Sequence, residues 1–138
     1  MQGLLKGNIG IPRANMPQLP SGEAFWRHLA AQGCMLRHMR VPSVKLRSTQ
    51  SELNLTKICA FIEAMQAGRL PKACLYASAD FHIVDGHHRW AADVVLGVRQ
   101  RDLRHRTMLV STVDMSIREV INEAFRFLDL EEMRERTT

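Results

Sequence analysis

Residues 81–92 read Phe-His-Ile-Val-Asp-Gly-His-His-Arg-Trp-Ala-Ala, a β-branched run that passes through one glycine directly into a helix-forming stretch. A joint this tight restricts the fold, because the chain must turn from strand to helix within one or two residues. Gly86 meets that demand by taking positive φ without steric cost. The helix start beyond it presents unpaired N–H groups and the positive end of a dipole. His87, His88 and Arg89 add protonatable or cationic side chains at the same place, and Arg89 brings a planar fork that matches phosphate. Glycine, helix start and cations together describe an anion site.

Strand alternation places His82 and Val84 on one face and Ile83 and Asp85 on the other, so His82 and Asp85 do not form a ligand pair. Asp85, His87 and His88 can converge through the turn, as carboxylate and imidazole do in zinc or manganese sites, with Asp85 and His87 the candidate ligands. An architectural alternative stands beside these readings. In it Asp85 N-caps the helix, Arg89 pairs with Asp93 one turn on, and the histidines occupy a solvated turn. Trp90 continues into Val94 at helical spacing and reads as core.

The chain around this joint has 138 residues, the length of one domain with a core of its own. No apolar run approaches the roughly 20 residues of a membrane span, and residues 1–8 lack a signal-peptide pattern, so a cytoplasmic protein without a membrane partner is expected. Cys34, Cys59 and Cys74 have no paired spacing and read as reduced, mostly buried thiols. The formal charge is +5, with fifteen arginines among nineteen cations, a bias toward phosphate-bearing partners.

In chain order, the Pro- and Gly-rich residues 1–20 predict an extended arm from which Ile11, Met16 and Leu19 can dock on the body. Ser21 N-caps a helix carrying Phe25, Trp26, Leu29 and Ala30 and ending at Gly33. A strand runs from Met35 to Val41 and stops at Pro42. Thr49 and Glu52 match a capping box ahead of a helix with Leu55, Ile58, Cys59, Ile62 and Met65 on one stripe, stopping at Gly68. Residues 73–77 and 81–84 form a hairpin, a helix over 88–96 is capped by Gly97, and a strand follows at 107–110. Ser116 and Glu119 make a second capping box before a helix with Ile117, Val120, Ile121, Ala124, Phe125 and Leu128 on its inner stripe. Residues 131–138 are a charged tail.

The run Asp85-Gly86-His87-His88-Arg89-Trp90-Ala91-Ala92, preceded by Leu46, Thr49-Gln50-Ser51-Glu52, Lys57 and a hairpin, resembles the ParB/sulfiredoxin superfamily, also called the ParB-like nuclease domain, over roughly residues 36–113. Residues 11–19 together with these motifs are similar to phage-associated stand-alone versions. The resemblance implies an α+β fold, with a small mixed sheet and flanking helices over residues 21–130. It further implies that Gly86, His88 and Arg89, with Lys57, grip the phosphates of ATP or CTP with Mg²⁺, and that Glu52 or His87 acts in hydrolysis or phosphoryl transfer. His87 stands where sulfiredoxins carry the catalytic cysteine and ParB a glutamate, and no helix-turn-helix follows, so sulfinic-acid repair and partition are not expected. A DNA-binding or nuclease role is the alternative, in which the same cluster at Gly86–Arg89 engages a nucleic-acid phosphate and Arg99, Arg101, Arg104, His105 and Arg106 extend it as a basic backbone-contacting surface. The third is a non-enzymatic phage or mobile-element interaction module.

Overall fold

The computed structural model describes residues 11–12, 16–17, 22–50, 52–70 and 74–137. Most of the expected arm, the Ser21 cap, Leu19 and Ala73 lie outside the described residues. Among the described residues, four helices flank a four-stranded mixed sheet, an α+β architecture. The elements are α1 (Gly22–Ala31), β1 (Leu36–Pro42), α2 (Leu55–Gln66), β2 (Leu75–Ala77), β3 (Ile83–Asp85), α3 (His87–Gln100), β4 (Thr107–Val113) and α4 (Ile117–Thr137). Single 3₁₀ turns at Ser43–Lys45 and Leu103–His105 follow β1 and α3.

The strands lie in the order β1-β4-β2-β3. Pairing is antiparallel between β1 and β4, parallel between β4 and β2, and antiparallel in the β2–β3 hairpin. Parallel pairing of β2 with β4 needs a crossover, and α3 supplies it. Alternation along the strands then makes two cores. Val41, Leu75, Ala77, Ile83 and Val110 face Ile58 and Ile62 of α2 and Trp90, Ala91 and Leu96 of α3. Val113 turns the other way to meet Phe25, Trp26 and Leu29 of α1 and Val120, Ala124 and Phe127 of α4, with Tyr76 and Val84 at the margin. Each large side chain buried in this way contributes about 1.5–3 kcal/mol.

Several boundaries differ from the sequence reading, each for an identifiable reason. Helix α2 starts at Leu55 with Asn54 as its N-cap, accepting from Lys57 N–H at 3.0 Å. Thr49 is no cap. Fully buried, it donates its hydroxyl to the Ile83 carbonyl at 2.6 Å, while Gln50 forms a parallel bridge with Ile11, so both residues are pinned outside the helix. Helix α3 continues past Gly97, which is buried in the helix because the Leu103 backbone would lie 3.0 Å from any added Cβ. The turn that ends it is made by Arg101, at φ 59°. Strand β4 extends to Val113, since Ser111 has a partner in the Trp26 indole at 2.9 Å.

On α4, Phe127 is the inward phenylalanine, whereas Phe125 is 45% exposed. Its Ser116–Glu119 capping box forms in both directions, at 3.2 and 3.3 Å. The helix then runs through the expected tail, stitched by the Arg134–Glu131 and Arg136–Glu132 pairs. Cys59 is exposed and Cys34 and Cys74 are half-buried, so the thiols are less enclosed than expected.

Candidate functional site

The strand-to-helix joint is built as tightly as its sequence requires. Gly86 sits at φ 104°, and a Cβ there would collide with the Leu75 side chain below it. Its carbonyl accepts the first helical bond from Trp90 N–H at 3.0 Å. Trp90 is 4% exposed and donates its indole N–H to the Ser43 carbonyl at 2.9 Å, which makes it core. Asp85 does not cap the helix, because Gly86 occupies the cap position. Nor is Asp93 the partner of Arg89. Asp93 accepts from Ser43 Oγ at 2.6 Å and from Arg106 Nη1 at 2.7 Å, tying α3 to both 3₁₀ turns.

The two histidines are not in a solvated turn. His87 is 6% exposed and its Nε2 accepts the Thr49 N–H at 3.1 Å. His88 Nε2 accepts the Asn54 N–H at 2.9 Å. A backbone amide can only donate, so each ring offers its lone pair at Nε2 and carries a proton at Nδ1 while these bonds stand. Together they clamp both ends of the segment between residues 49 and 54 to the start of α3. Burial pushes the His87 pKa down to about 3, with repulsion from His88 adding to the effect, so His87 is a neutral imidazole at ordinary pH. Its only lone pair is committed to Thr49, which leaves none for a metal ion or for nucleophilic attack.

Between these elements lies a cavity of about 510 Å³. Gly86, His87, His88 and Arg89 form one side, and Lys57 reaches it from the first turn of α2. The remaining walls are Val84 and Asp85 of β3, Gln50, Phe61 of α2, and Met16 and Pro17 of the N-terminal segment. The expected phosphate-binding residues Lys57, Gly86, His88 and Arg89 are thus brought together. Arg89 is half-buried, and desolvation holds its guanidinium below the usual arginine range. Glu52 is exposed and is not among the cavity walls. Asp85 is an exposed carboxylate on the rim. Among the described residues, no group of three or more His, Cys, Asp or Glu side chains is disposed to hold a metal ion. A lone carboxylate is nonetheless compatible with Mg²⁺, which binds through one or two carboxylates and the phosphates it accompanies.

The expected nucleic-acid surface lies at the other end of α3, about 20 Å away by helix rise. Arg99, Arg101, Arg104 and His105 are exposed there, and Arg101, Arg104 and His105 border a second depression of about 460 Å³. Arg106 is set apart from that group. Its guanidinium donates to Asp102 at 2.9 Å, Asp93 at 2.7 Å and the Gln100 amide oxygen at 2.7 Å; burial pulls its pKa down, but the bonds and charges of Asp102 and Asp93 together outweigh that and raise it.

Phe61, Gln50 and Pro17 were not among the site residues expected from the sequence. Phe61 had a usable signal in its position four residues after Lys57, on the same helix face. Gln50 and Pro17 had none, because the bridge that carries this segment to the site joins residues 39 positions apart, Ile11 and Gln50. No helix among the described residues is long and apolar enough to cross a membrane. Comparison with protein-family models, curated proteins and solved structures finds no match to this chain.

Proposed function

We propose that the cavity at the start of α3 binds the phosphate chain of a nucleotide such as ATP or CTP; Asp85 is the residue that would hold an accompanying Mg²⁺, which would supply charge neutralisation. The convergence of Lys57, Arg89 and the α3 N-terminus on one 510 Å³ cavity carries this reading. Its volume falls within the range that encloses small ligands. Arg89 supplies a fork for two oxygens, Lys57 a point charge, and the backbone N–H groups of the first turn of α3 complete the cradle. His87 contributes by positioning: neutral and fixed, it offers Nδ1–H as a donor edge and holds the segment at Thr49 in place.

Hydrolysis or phosphoryl transfer at this site would rest on electrostatic stabilisation by Lys57, Arg89 and the metal. The role implied for His87 in acting on water or an acceptor gives way here to a hydrogen-bonding one. Glu52 would have to approach from outside the walls. Binding is therefore the primary claim and turnover the secondary one.

The test is a thermal-shift panel with ATP, CTP, GTP and ADP in Mg²⁺. A saturating nucleotide at about 100 times Kd adds roughly 2.7 kcal/mol of stability. Arg89→Ala and Lys57→Ala should each weaken binding about tenfold or more, and indifference of the wild-type protein to all four nucleotides refutes the proposal. A second reading, nucleic-acid backbone binding, is favoured by the exposed Arg99, Arg101 and Arg104 at the far end of α3. Binding there would weaken steeply with salt and be insensitive to Arg89→Ala.

A further inference from the structure

The cavity is chemically two-sided, and its apolar side has no role in holding phosphate. Phe61 lies one helical turn beyond Lys57 on α2, about 6 Å along the axis by helix rise. Ile58 and Ile62 point into the core, while Phe61 is half-buried at the edge of that stripe and lines the cavity. Met16 and Pro17 add further apolar wall. Met16 is 8% exposed, so its side chain is packed against the body where it borders the cavity. A site for inorganic phosphate or polyphosphate would have no use for such a surface.

We propose that Phe61 is the specificity-determining residue of this site, a stacking platform for the base of the nucleotide, with Met16 and Pro17 completing the slot. The inference rests on the phosphate reading above and adds the class of group at the other end of the ligand. An aromatic face is attractive to any base because every base has a π-surface, and a methionine thioether is adaptable enough to accept either ring size. The Lys57–Phe61 spacing sets cation and platform one helical turn apart, a gap that a ribose bridges between phosphate and base.

The experiment is calorimetric titration of the full chain with inorganic tripolyphosphate, ATP and CTP, each with Mg²⁺. The wild-type protein should bind at least one nucleotide about tenfold or more tighter than tripolyphosphate. Phe61→Leu keeps apolar volume beneath the site but removes the π-face, and should bring the nucleotide Kd to within about threefold of that for tripolyphosphate. Phe61→Trp should restore the preference and report it, with the added indole fluorescence quenched by nucleotide and not by tripolyphosphate. Equal wild-type affinity for nucleotide and tripolyphosphate overturns the stacking proposal while leaving the phosphate site standing. An undiminished preference in Phe61→Leu, or no differential quench in Phe61→Trp, also overturns it. Failure of all three ligands to bind overturns the phosphate reading as well.

Discussion

Gly86 shows how much one residue can determine. Its φ of 104° is a conformation that costs an L-residue about 1–2 kcal/mol, and the space where a Cβ would sit is already occupied by Leu75. Overpacking of that kind adds about 1–3 kcal/mol. Gly86→Ala is therefore expected to destabilise the fold by roughly 2–5 kcal/mol, seen as a lowered urea midpoint at unchanged m-value. A loss under 1 kcal/mol would mean that the joint is far looser than its geometry implies. His87 makes a second prediction at this scale. Unfolded, its imidazole titrates near 6.5, whereas in the folded protein it stays neutral down to about 3. The unfolded state thus binds the proton first, and stability present above pH 6.5 is lost as pH falls toward 3. The slope from this group approaches about 1.4 kcal/mol per pH unit. His87→Gln retains an oxygen acceptor for Thr49 N–H and does not titrate, so urea unfolding at pH 7, 6, 5 and 4 should show a shallower decline than wild type. Identical slopes would remove His87 from the account.

At the scale of elements, α3 is held at its start and at its middle by different chemistry. The first turn is fixed by histidine clamps, and the middle by Asp93, which joins Ser43 after β1 to Arg106 before β4. Both ion-pair partners are largely buried, with side chains 20% and 13% exposed for Arg106 and Asp93. Removing one partner of a buried pair strands the other, at about 3–5 kcal/mol when burial is complete. Asp93→Ala should therefore cost roughly 2–4 kcal/mol in chemical denaturation, and a loss below 1 kcal/mol would place the pair among ordinary surface bridges. This network also explains where sequence reading succeeded and where it stopped. Local signals carried real information: Gly86 marked the joint, Ser116 and Glu119 marked the start of α4, and the β2–β3 hairpin followed from two apolar runs around a turn. Long-range contacts overrode local ones elsewhere. Thr49 looks like a cap in sequence but is taken by Ile83, and Asp93 looks like the partner of Arg89 but is taken by residues 50 positions before it and 13 after. Gly86, His88 and Arg89 were legible as a candidate site because they adjoin one another at the glycine joint, whereas Lys57 entered only through the family resemblance. The apolar half of the site came from α2 and the N-terminal segment, whose approach to the joint no local pattern encodes.

On the scale of the whole molecule, one narrow sheet serves as the shared wall of two cores. The α2/α3 core includes Trp90 and the α1/α4 core includes Trp26, each with its indole N–H satisfied, by the Ser43 carbonyl and Ser111 Oγ respectively. Neither core is closed without the sheet. Residues 110 and 111 of β4 face opposite cores, so melting that strand opens both at once. Parallel pairing of β2 with β4 through the α3 crossover further prevents either pair of helices from leaving with a private hairpin. The molecule should accordingly unfold as a single cooperative unit, as small domains usually do. The two tryptophans test this directly, because Trp26→Phe leaves fluorescence only in the α2/α3 core and Trp90→Phe only in the α1/α4 core. Each replacement removes a buried indole hydrogen bond and should lower stability by about 1–3 kcal/mol. Within each variant, however, the fluorescence transition in urea should superimpose on the loss of helical circular dichroism. If the Trp90 signal instead melts clearly before the helical signal, the α2/α3 core opens by itself. The cavity proposed to bind nucleotide would then belong to the less stable part of the protein, and on that proposal saturating nucleotide should bring the two transitions back together.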